Sequence, residues 1–205
     1  MSDTKENILM TALHLFAKNG YEAVSTSNIA DELGMTKGAL YKHYKNKRDI
    51  FDSIVERMYR IDAERSQKHT VPVRKYEDDP AGYRDISVNC VKEFTLSQFW
   101  FWTEDDFAAD FRRLLTLEQY RSSEMAELFG SCLAEGPVAY MADIFREMIA
   151  DGILREVDPL QLSTEFYAPF FLLVSISDRT KDKGRYAETL RVHIEHFFET
   201  YSADI

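Results

Sequence analysis

The sequence predicts an all-α protein with a small N-terminal three-helix domain, which contains a helix-turn-helix, and a larger C-terminal helical domain. Apolar residues recur at helical spacing through most of the 205 residues. Two short helical segments meet at a tight turn at Gly34. The stretch from Ser66 to Pro80 is polar, contains Pro72 and lacks a sustained period, which is typical of a connection between helices.

Composition and chain start exclude several classes of protein. No segment reaches the roughly 18 consecutive apolar residues of a membrane-spanning helix. The N-terminus lacks the basic start and apolar block of a secretion signal. Cys90 and Cys132 fit no metal-ligand spacing and are expected to be buried free thiols. We therefore expect a cytoplasmic protein without membrane contact, structural disulfide, metal or cofactor.

The first helix is predicted from Asp3, which has the spacing of a capping box with Glu6, to the residue before Gly20. Its apolar residues share one broad face, on which the next two helices are expected to pack. They are Ile8, Leu9, Ala12, Leu13, Leu15 and Phe16.

The helix-turn-helix follows this first helix. Ser25 is placed as the N-cap of the second helix, and Gly34 reverses the chain. Thr36 caps a third helix, predicted to reach Tyr44, with Leu40 and Tyr44 facing inward. Five residues are left pointing outward: Lys37, Gly38, Tyr41, Lys42 and His43.

Charge and glycine placement indicate what this outward surface binds. The net charge is -10, but residues 1–50 hold seven basic and six acidic residues, and Thr36 to Arg48 contains no acid. Because charges beyond a Debye length of roughly 10 Å are screened, this local cluster can bind phosphate. Gly38 inside a helix costs about 1 kcal/mol relative to alanine, so close approach to its backbone is expected. A helix-turn-helix that inserts its second helix into the DNA major groove explains both features.

The segment from Ile8 to Phe51 resembles the N-terminal domain of the tetracycline-repressor (TetR) family over almost its whole length. The matching pieces are Ala12 with Leu15 to Ala17, Gly20-Tyr21, Ile29-Ala30, Gly34, Thr36 to Gly38, Leu40-Tyr41, His43-Tyr44 and Lys47. This resemblance implies a DNA-binding domain at residues 1–48 and a helical effector-binding and dimerisation domain at residues 49–205.

The resemblance also implies DNA contacts of three kinds. Thr36, Tyr41 and Lys47 are expected at phosphates, Lys37, Gly38, Lys42 and His43 at the major groove, and Ser25 and Thr26 at the DNA backbone beside the second helix. Lys47 lies at the start of the fourth helix, where free amides add to anion binding. Tyr44 stands where phenylalanine is more usual in the family, so its hydroxyl needs a partner or solvent.

The C-terminal part is predicted to be helical throughout. A fourth helix from Asp49 to about Glu64 joins it to the first domain, and the end of the segment from Ala81 to Thr103 is apolar on every side, as in a buried helix. Asp158, followed by proline, starts one long apolar helix, and another starts near Tyr186. In the resembled family two such helices pair with their copies in a second subunit, which implies a homodimer.

A set of aromatic residues in this part has two interpretations. Aromatic residues on helices are more often core than ligand site. In the resembled family, however, the C-terminal helices enclose a pocket, so some members are expected to line a cavity for a small hydrophobic effector. The set is Phe94, Trp100, Trp102, Phe107, Phe111, Tyr140, Phe166, Tyr167 and Phe170. Glu93 or Glu104 is a candidate partner for a cationic effector.

An enzyme finds little support in the sequence. His193 and His196 share a helix face, but the HExxH pattern is absent, and no phosphate-binding glycine loop or nucleophile elbow is present. We therefore predict a homodimeric repressor that a small effector releases from a near-palindromic double-stranded DNA operator. The alternatives are an activator, a ligand-independent DNA-binding module, or a helical small-molecule-binding or enzymatic protein whose N-terminal helices only pack.

Overall fold

The computed structural model of the chain describes residues 3–203. Its α-helices are α1 (Asp3–Asn19), α2 (Thr26–Glu32), α3 (Lys37–Leu40), α4 (Lys47–Lys68), α5 (Val88–Glu104), α6 (Asp106–Glu118), α7 (Ser123–Leu133), α8 (Glu135–Ala150), α9 (Pro159–Ser177) and α10 (Gly184–Tyr201). A short 3-10 helix, Pro80–Tyr83, precedes α5. Within the described residues, β-type pairing is limited to one bridge between Leu154 and Ser202. The predicted all-α class is confirmed.

The chain divides into two compact units. The first contains the described residues up to Asp62 together with Asp105–Phe129, and the second contains Ala63–Glu104 and the described residues from Gly130 onward. Helix α6 and the start of α7 therefore pack with the N-terminal helices, although they are distant in sequence. The predicted boundary at residue 48 separates a DNA-binding domain from an effector-binding and dimerisation domain, and it stays a prediction.

The core of the first unit is built around α1, which packs against α2 and α6. Ile8, Leu9, Leu13 and Phe16 are completely buried, as the helical period of α1 predicts. Helix α6 contributes Phe111, which is also completely buried. Burial of each such side chain stabilises the fold by about 1.5–3 kcal/mol relative to exposure.

Tyr44 is buried in this core, and its hydroxyl has a partner, as expected. The hydroxyl donates a hydrogen bond to the carbonyl oxygen of Lys5 at 3.3 Å. The Lys5 ammonium lies 5.1 Å from the centre of the Tyr44 ring. Burial raises the pKa of the Tyr44 hydroxyl from 10.0 to about 12, since the ionised form is poorly solvated there.

We expect Tyr44→Phe to reduce the loss of stability between pH 10 and about pH 12, the interval set by the two pKa values of Tyr44. In this interval the unfolded chain loses the tyrosine proton while the folded chain retains it, so the free energy of unfolding falls as pH rises. Urea unfolding at several alkaline pH values measures this slope. Tyr120→Phe is the control, because Tyr120 is 88% exposed. Equal slopes in wild type and Tyr44→Phe would contradict the prediction.

The second unit is a helical stack in which α8 packs on α9, and α10 packs on both α9 and α5. Its centre is aromatic. The ring centres of Phe145 and Phe166 are 5.4 Å apart, and those of Phe166 and Phe197 are 4.9 Å apart, both in edge-to-face geometry. The predicted start of α9 is confirmed, because the Asp158 side chain accepts a hydrogen bond from the Gln161 amide at 2.8 Å.

Left-handed residues lie beside two helix boundaries, and one of these boundaries differs from the prediction. Helix α5 begins at Val88, three residues after Asp85, which has a left-handed φ of 59°. Helix α4 continues past Glu64 to Lys68, and Thr70 then has a φ of 55°. Left-handed backbone interrupts helical hydrogen bonding, and residues other than glycine rarely adopt it, so the sequence did not reveal these breaks.

Cys90 and Cys132 are free thiols, and both are half-buried rather than buried. Between residues 3 and 203, no helix has the length and apolarity needed to cross a bilayer. In the same part of the chain, no group of three or more His, Cys, Asp or Glu residues is arranged to hold a metal ion. His193 Nε2 lies 3.2 Å from the carbonyl oxygen of Phe166.

Candidate DNA-binding surface

Both helices of the helix-turn-helix begin at side-chain caps. Ser25 Oγ accepts a hydrogen bond from the Asn28 amide at 3.2 Å, and Asn28 Oδ1 accepts one from the Ser25 amide at 2.8 Å. Thr36 Oγ1 accepts a hydrogen bond from the Ala39 amide at 3.2 Å. Gly34 has a φ of 62°, so the turn uses the left-handed backbone that glycine permits. The predicted caps and turn are confirmed.

Helix α3 is shorter than predicted. Its α-helical part ends at Leu40, and Tyr41 to His43 form turns instead of continuing the helix to Tyr44. The cause is a tighter backbone, in which the His43 amide donates to the Leu40 carbonyl three residues earlier at 2.9 Å. Leu40 and Tyr44 are nevertheless both buried, as predicted.

The residues predicted to face the major groove remain accessible. Lys37, Gly38 and Lys42 are exposed, and His43 is half-buried. A Cβ atom placed on Gly38 would meet only Thr36 Oγ1, at 3.9 Å, so packing within the chain does not require glycine here. This observation agrees with close approach by a partner outside the chain.

Two hydroxyl groups predicted to contact the DNA backbone lie together. Thr26 Oγ1 and the Tyr41 hydroxyl are 3.0 Å apart, and the Tyr41 side chain is 49% exposed. Each hydroxyl can donate one hydrogen bond and accept two, so the pair retains capacity to donate to a phosphate oxygen. The pair joins the start of α2 to the end of α3.

Lys47, the third predicted phosphate contact, is held by the turn between α1 and α2. Its ammonium donates to the Tyr21 carbonyl oxygen at 2.9 Å and lies 4.1 Å from the centre of the Tyr21 ring. The Glu22 carboxylate is 3.7 Å away. The first amides of an α-helix have no intrahelical acceptors, and Asn46 caps α4 by accepting from one of them, the Asp49 amide, at 2.8 Å.

Arg48 belongs to the basic run of the sequence, but its charge is already paired. Its guanidinium donates to both carboxylate oxygens of Glu124, at 2.8 and 2.5 Å, and to Asp52 at 2.6 Å. The acidic partner Glu124 lies far away in the sequence, so counting local charge overestimated the free positive charge of this cluster.

Sequence reasoning did not assign Tyr21 and Asn46 to the site. Asn46 followed by Asp49 is an N-cap pattern that could have placed the start of α4. Tyr21 was recognised only as part of a family motif, and its role in holding Lys47 depends on a contact that periodicity does not predict.

Residues 8–54 match the family described as bacterial regulatory proteins, tetR family. This match identifies residues 8–54 as a tetR-family domain. The TetR-family match contains both caps, the turn glycine and all nine residues predicted to contact DNA. The remaining part of the chain lies outside this match.

Two relatives named as transcriptional regulators extend the comparison. The HTH-type transcriptional regulator AcrR of Shigella flexneri is 43% identical over 54 residues, which are 26% of this chain and 25% of that protein. The class C tetracycline repressor of Escherichia coli is 36% identical over 75 residues, which are 37% of this chain and 32% of the repressor. The chain thus aligns with about a quarter to a third of the length of these relatives. Neither name describes an enzyme.

Solved TetR-family structures cover almost the whole chain. The complex of SmeT with triclosan superposes with a TM-score of 0.68 at 21% identity, over 98% of this chain and 92% of that one. SmeT is described as the repressor of the multidrug efflux pump SmeDEF of Stenotrophomonas maltophilia. At this identity the likeness establishes the fold, including the C-terminal helices.

The nine aromatic residues predicted as candidates for an effector site are not all brought together. Phe107 and Phe111 lie on α6 in the first unit, where their rings stack with centres 6.4 Å apart. The other seven lie in the second unit, and the side chain of Trp100 is 42% exposed. Successive residues on a helix point about 100° apart, so the consecutive aromatic residues of α5 cannot all face one core.

Within the second unit, the remaining aromatic candidates form separate groups. Phe94 and Tyr140 have ring centres 6.4 Å apart, and Tyr167 stacks on Phe170 at 5.3 Å. Phe166 belongs to the central core described above, and Trp102 is half-buried. Glu104, a candidate partner for a cation, already pairs with the Lys183 ammonium at 3.0 Å.

Proposed function

We propose that the protein is a homodimeric, cytoplasmic transcriptional repressor that binds a near-palindromic operator and is released by a small hydrophobic effector. The observation that carries the DNA-binding part is the exposed surface of Lys37, Gly38, Tyr41 and Lys42, positioned by two side-chain caps and a glycine turn. Two lysines supply cations for phosphates or guanine edges, and the glycine allows close approach. The repressor names among the relatives support repression over activation.

A dimer is supported by exposed apolar side chains on the two C-terminal helices. Leu160 and Leu172 on α9 are each 57% exposed, Phe171 is 38% exposed, and Val192 on α10 is 54% exposed. A second copy of the chain would bury them. Two α3 segments would then enter successive major grooves about 34 Å apart, which requires a near-palindromic operator.

The effector is proposed to bind in the second unit beside Phe94 and Tyr140. The half-buried Tyr140 contacts the buried rings of Phe94 and Tyr83 there, with ring centres 6.4 and 6.0 Å away. Its hydroxyl donates to the Pro72 carbonyl oxygen at 3.0 Å. Triclosan, an aromatic compound, is bound in the SmeT complex. An effector that prefers the released state typically changes DNA affinity by about 5- to 150-fold.

The DNA-binding proposal is tested with labelled DNA from upstream of the protein's own gene, by fluorescence anisotropy at several salt concentrations. We expect Tyr41→Ala and Lys47→Ala each to weaken binding to all DNA sequences by about 5- to 10-fold. Lys47→Ala should also reduce the slope of log binding constant against log salt concentration by about the amount that one phosphate contact contributes. Lys37→Ala and Lys42→Ala should in addition change sequence preference, because base contacts specify while phosphate contacts position.

Lys75→Ala is a charge-matched control, because Lys75 is exposed in the second unit and lies outside the proposed surface. Wild-type binding that is indifferent to the changes at Tyr41 and Lys47 would contradict the assignment of the phosphate contacts.

Effector release is tested by thermal shift with triclosan as a neutral aromatic probe and choline as a cationic one. A compound at about 100 times its Kd stabilises the folded state by about 2.7 kcal/mol. We expect a stabilising compound also to lower operator affinity in the anisotropy assay. Compounds that stabilise the protein and leave operator affinity unchanged would instead support ligand-independent DNA binding.

A further inference from the structure

Tyr21 lies in the turn between α1 and α2, and side chains from two other helices bind both of its backbone polar groups. Its amide donates to Glu118 Oε1, on α6, at 3.0 Å. Its carbonyl oxygen accepts from the Lys47 ammonium at 2.9 Å. Tyr21 therefore connects α6 directly to the first residue of α4.

Glu118 is buried at this position, and a glycine allows its approach. The Glu118 side chain is 2% exposed, and its carboxylate also pairs with Arg121 at 2.8 Å. Gly20 has a φ of 86°, and a Cβ atom there would lie only 2.8 Å from Glu118 Oε1. A carboxylate removed from water is costly unless it is paired and hydrogen-bonded, and the contacts with Arg121 and the Tyr21 amide meet this requirement.

The side chain of Tyr21 is also held firmly. Its ring centre lies 5.1 Å from that of Phe16 and 5.2 Å from that of Phe51. Aromatic contacts of this kind limit independent movement of the ring. A displacement of the Tyr21 backbone would therefore also move the ring and the carbonyl oxygen that hold Lys47.

We infer that Glu118 is a positioning residue for DNA binding: it fixes Tyr21, and Tyr21 fixes Lys47 at the operator phosphates. The inference rests on the proposed function, in which Lys47 contacts phosphate. It gives α6 a part in DNA binding although none of its residues is placed at the DNA. A shift of α6 would weaken DNA binding by disturbing the contact between Glu118 and the Tyr21 amide.

The sign of the effect separates this role from simple electrostatics. Glu118→Gln removes one negative charge from a protein that binds a polyanion, so charge alone predicts tighter binding. Loss of positioning predicts weaker binding. Glutamine retains an oxygen acceptor for the Tyr21 amide but not the charge, so its effect should be smaller than that of Glu118→Ala.

The experiment is a double-mutant cycle on full-length protein, with operator affinity measured by fluorescence anisotropy. We expect Glu118→Gln to weaken binding about threefold and Glu118→Ala about tenfold, in line with neutral and charged hydrogen bonds. In the Lys47→Ala background, each change should cost less than about twofold, because residues acting as one unit are not additive. Amide hydrogen exchange of free protein should be faster at Tyr21 in both Glu118 variants.

Asp110→Asn is the matched control, because Asp110 lies on the same helix and its carboxylate is 3.0 Å from His14 rather than near Tyr21. It removes the same charge, so it should leave Tyr21 exchange unchanged and operator affinity unchanged or slightly higher. Three results would each overturn the role of Glu118 while leaving DNA binding intact. The Glu118 changes could lower operator affinity equally with Lys47 present and with Lys47 replaced by alanine. Glu118→Gln could bind the operator more tightly than the wild type, or the exchange rate of the Tyr21 amide could be unchanged. Absence of operator binding by the wild type would overturn the proposed function as well.

Discussion

Replacing Leu172 by aspartate is expected to convert the protein to a monomer and to lower its operator affinity by at least about 100-fold. Leu172 is 57% exposed on α9, next to Phe171, which is 38% exposed. In the proposed dimer both side chains are buried, and an unpaired carboxylate there would cost several kcal/mol. Linking two DNA-binding modules raises apparent affinity by about 10²- to 10⁴-fold, and a monomer loses this gain.

Size-exclusion chromatography with light scattering measures the mass, and anisotropy on the same samples measures operator binding. Leu117→Asp is the matched control, since Leu117 is 45% exposed on α6 in the first unit. It should remain dimeric. A Leu172→Asp protein that stays dimeric would place the interface elsewhere, and a monomer with full affinity would show that dimerisation is not needed for binding.

Local features of the chain were readable from sequence alone. Ser25, Thr36 and Asp158 were predicted as N-caps, and all three side chains accept a hydrogen bond from an amide three residues later. A cap and a helical period depend on residues within one or two turns of each other, so short-range reasoning captures them. The same holds for the left-handed turn at Gly34.

Features that depend on distant contacts were not readable. Phe107 and Phe111 were grouped with the effector-site candidates because they follow the connection near residue 80, yet α6 packs in the first unit. Glu118 is hydrogen-bonded to Tyr21, and Arg48 is paired with Glu124. Helical periodicity shows that a residue is buried or exposed, but it does not identify the partner across the fold.

At the candidate DNA-binding surface, too, the sequence predicted which residues are exposed but not the contacts between distant residues. Sequence placed Lys37, Gly38 and Lys42 on an accessible surface, and the structure agrees. It did not predict that Lys47 would be held by Tyr21 before any DNA is bound. Because this side chain is already ordered in the free protein, DNA binding would cost less side-chain entropy there than for a free lysine.

Gly38→Ala is expected to leave the fold as stable as the wild type or more stable, and to weaken operator binding by about 10- to 100-fold, the equivalent of one or two base contacts. A Cβ atom at this position meets only Thr36 Oγ1, at 3.9 Å, so the chain accommodates alanine. Alanine in a helix is favoured over glycine by about 0.5–1 kcal/mol. The added methyl group would instead occupy space needed by the DNA.

Gly34→Ala is expected to have the opposite effects, with lower stability and normal DNA binding. Gly34 has a left-handed φ of 62°, and a Cβ atom placed on it would meet no other atom within 4 Å. Left-handed backbone costs a residue with a side chain about 1–2 kcal/mol, so this variant should be less stable. Once the folded fraction is accounted for, it should bind the operator normally. Thermal unfolding and anisotropy on both variants separate the two effects. A Gly38→Ala protein that is more stable and binds the operator as tightly as the wild type would mean that DNA does not approach the α3 backbone at this residue.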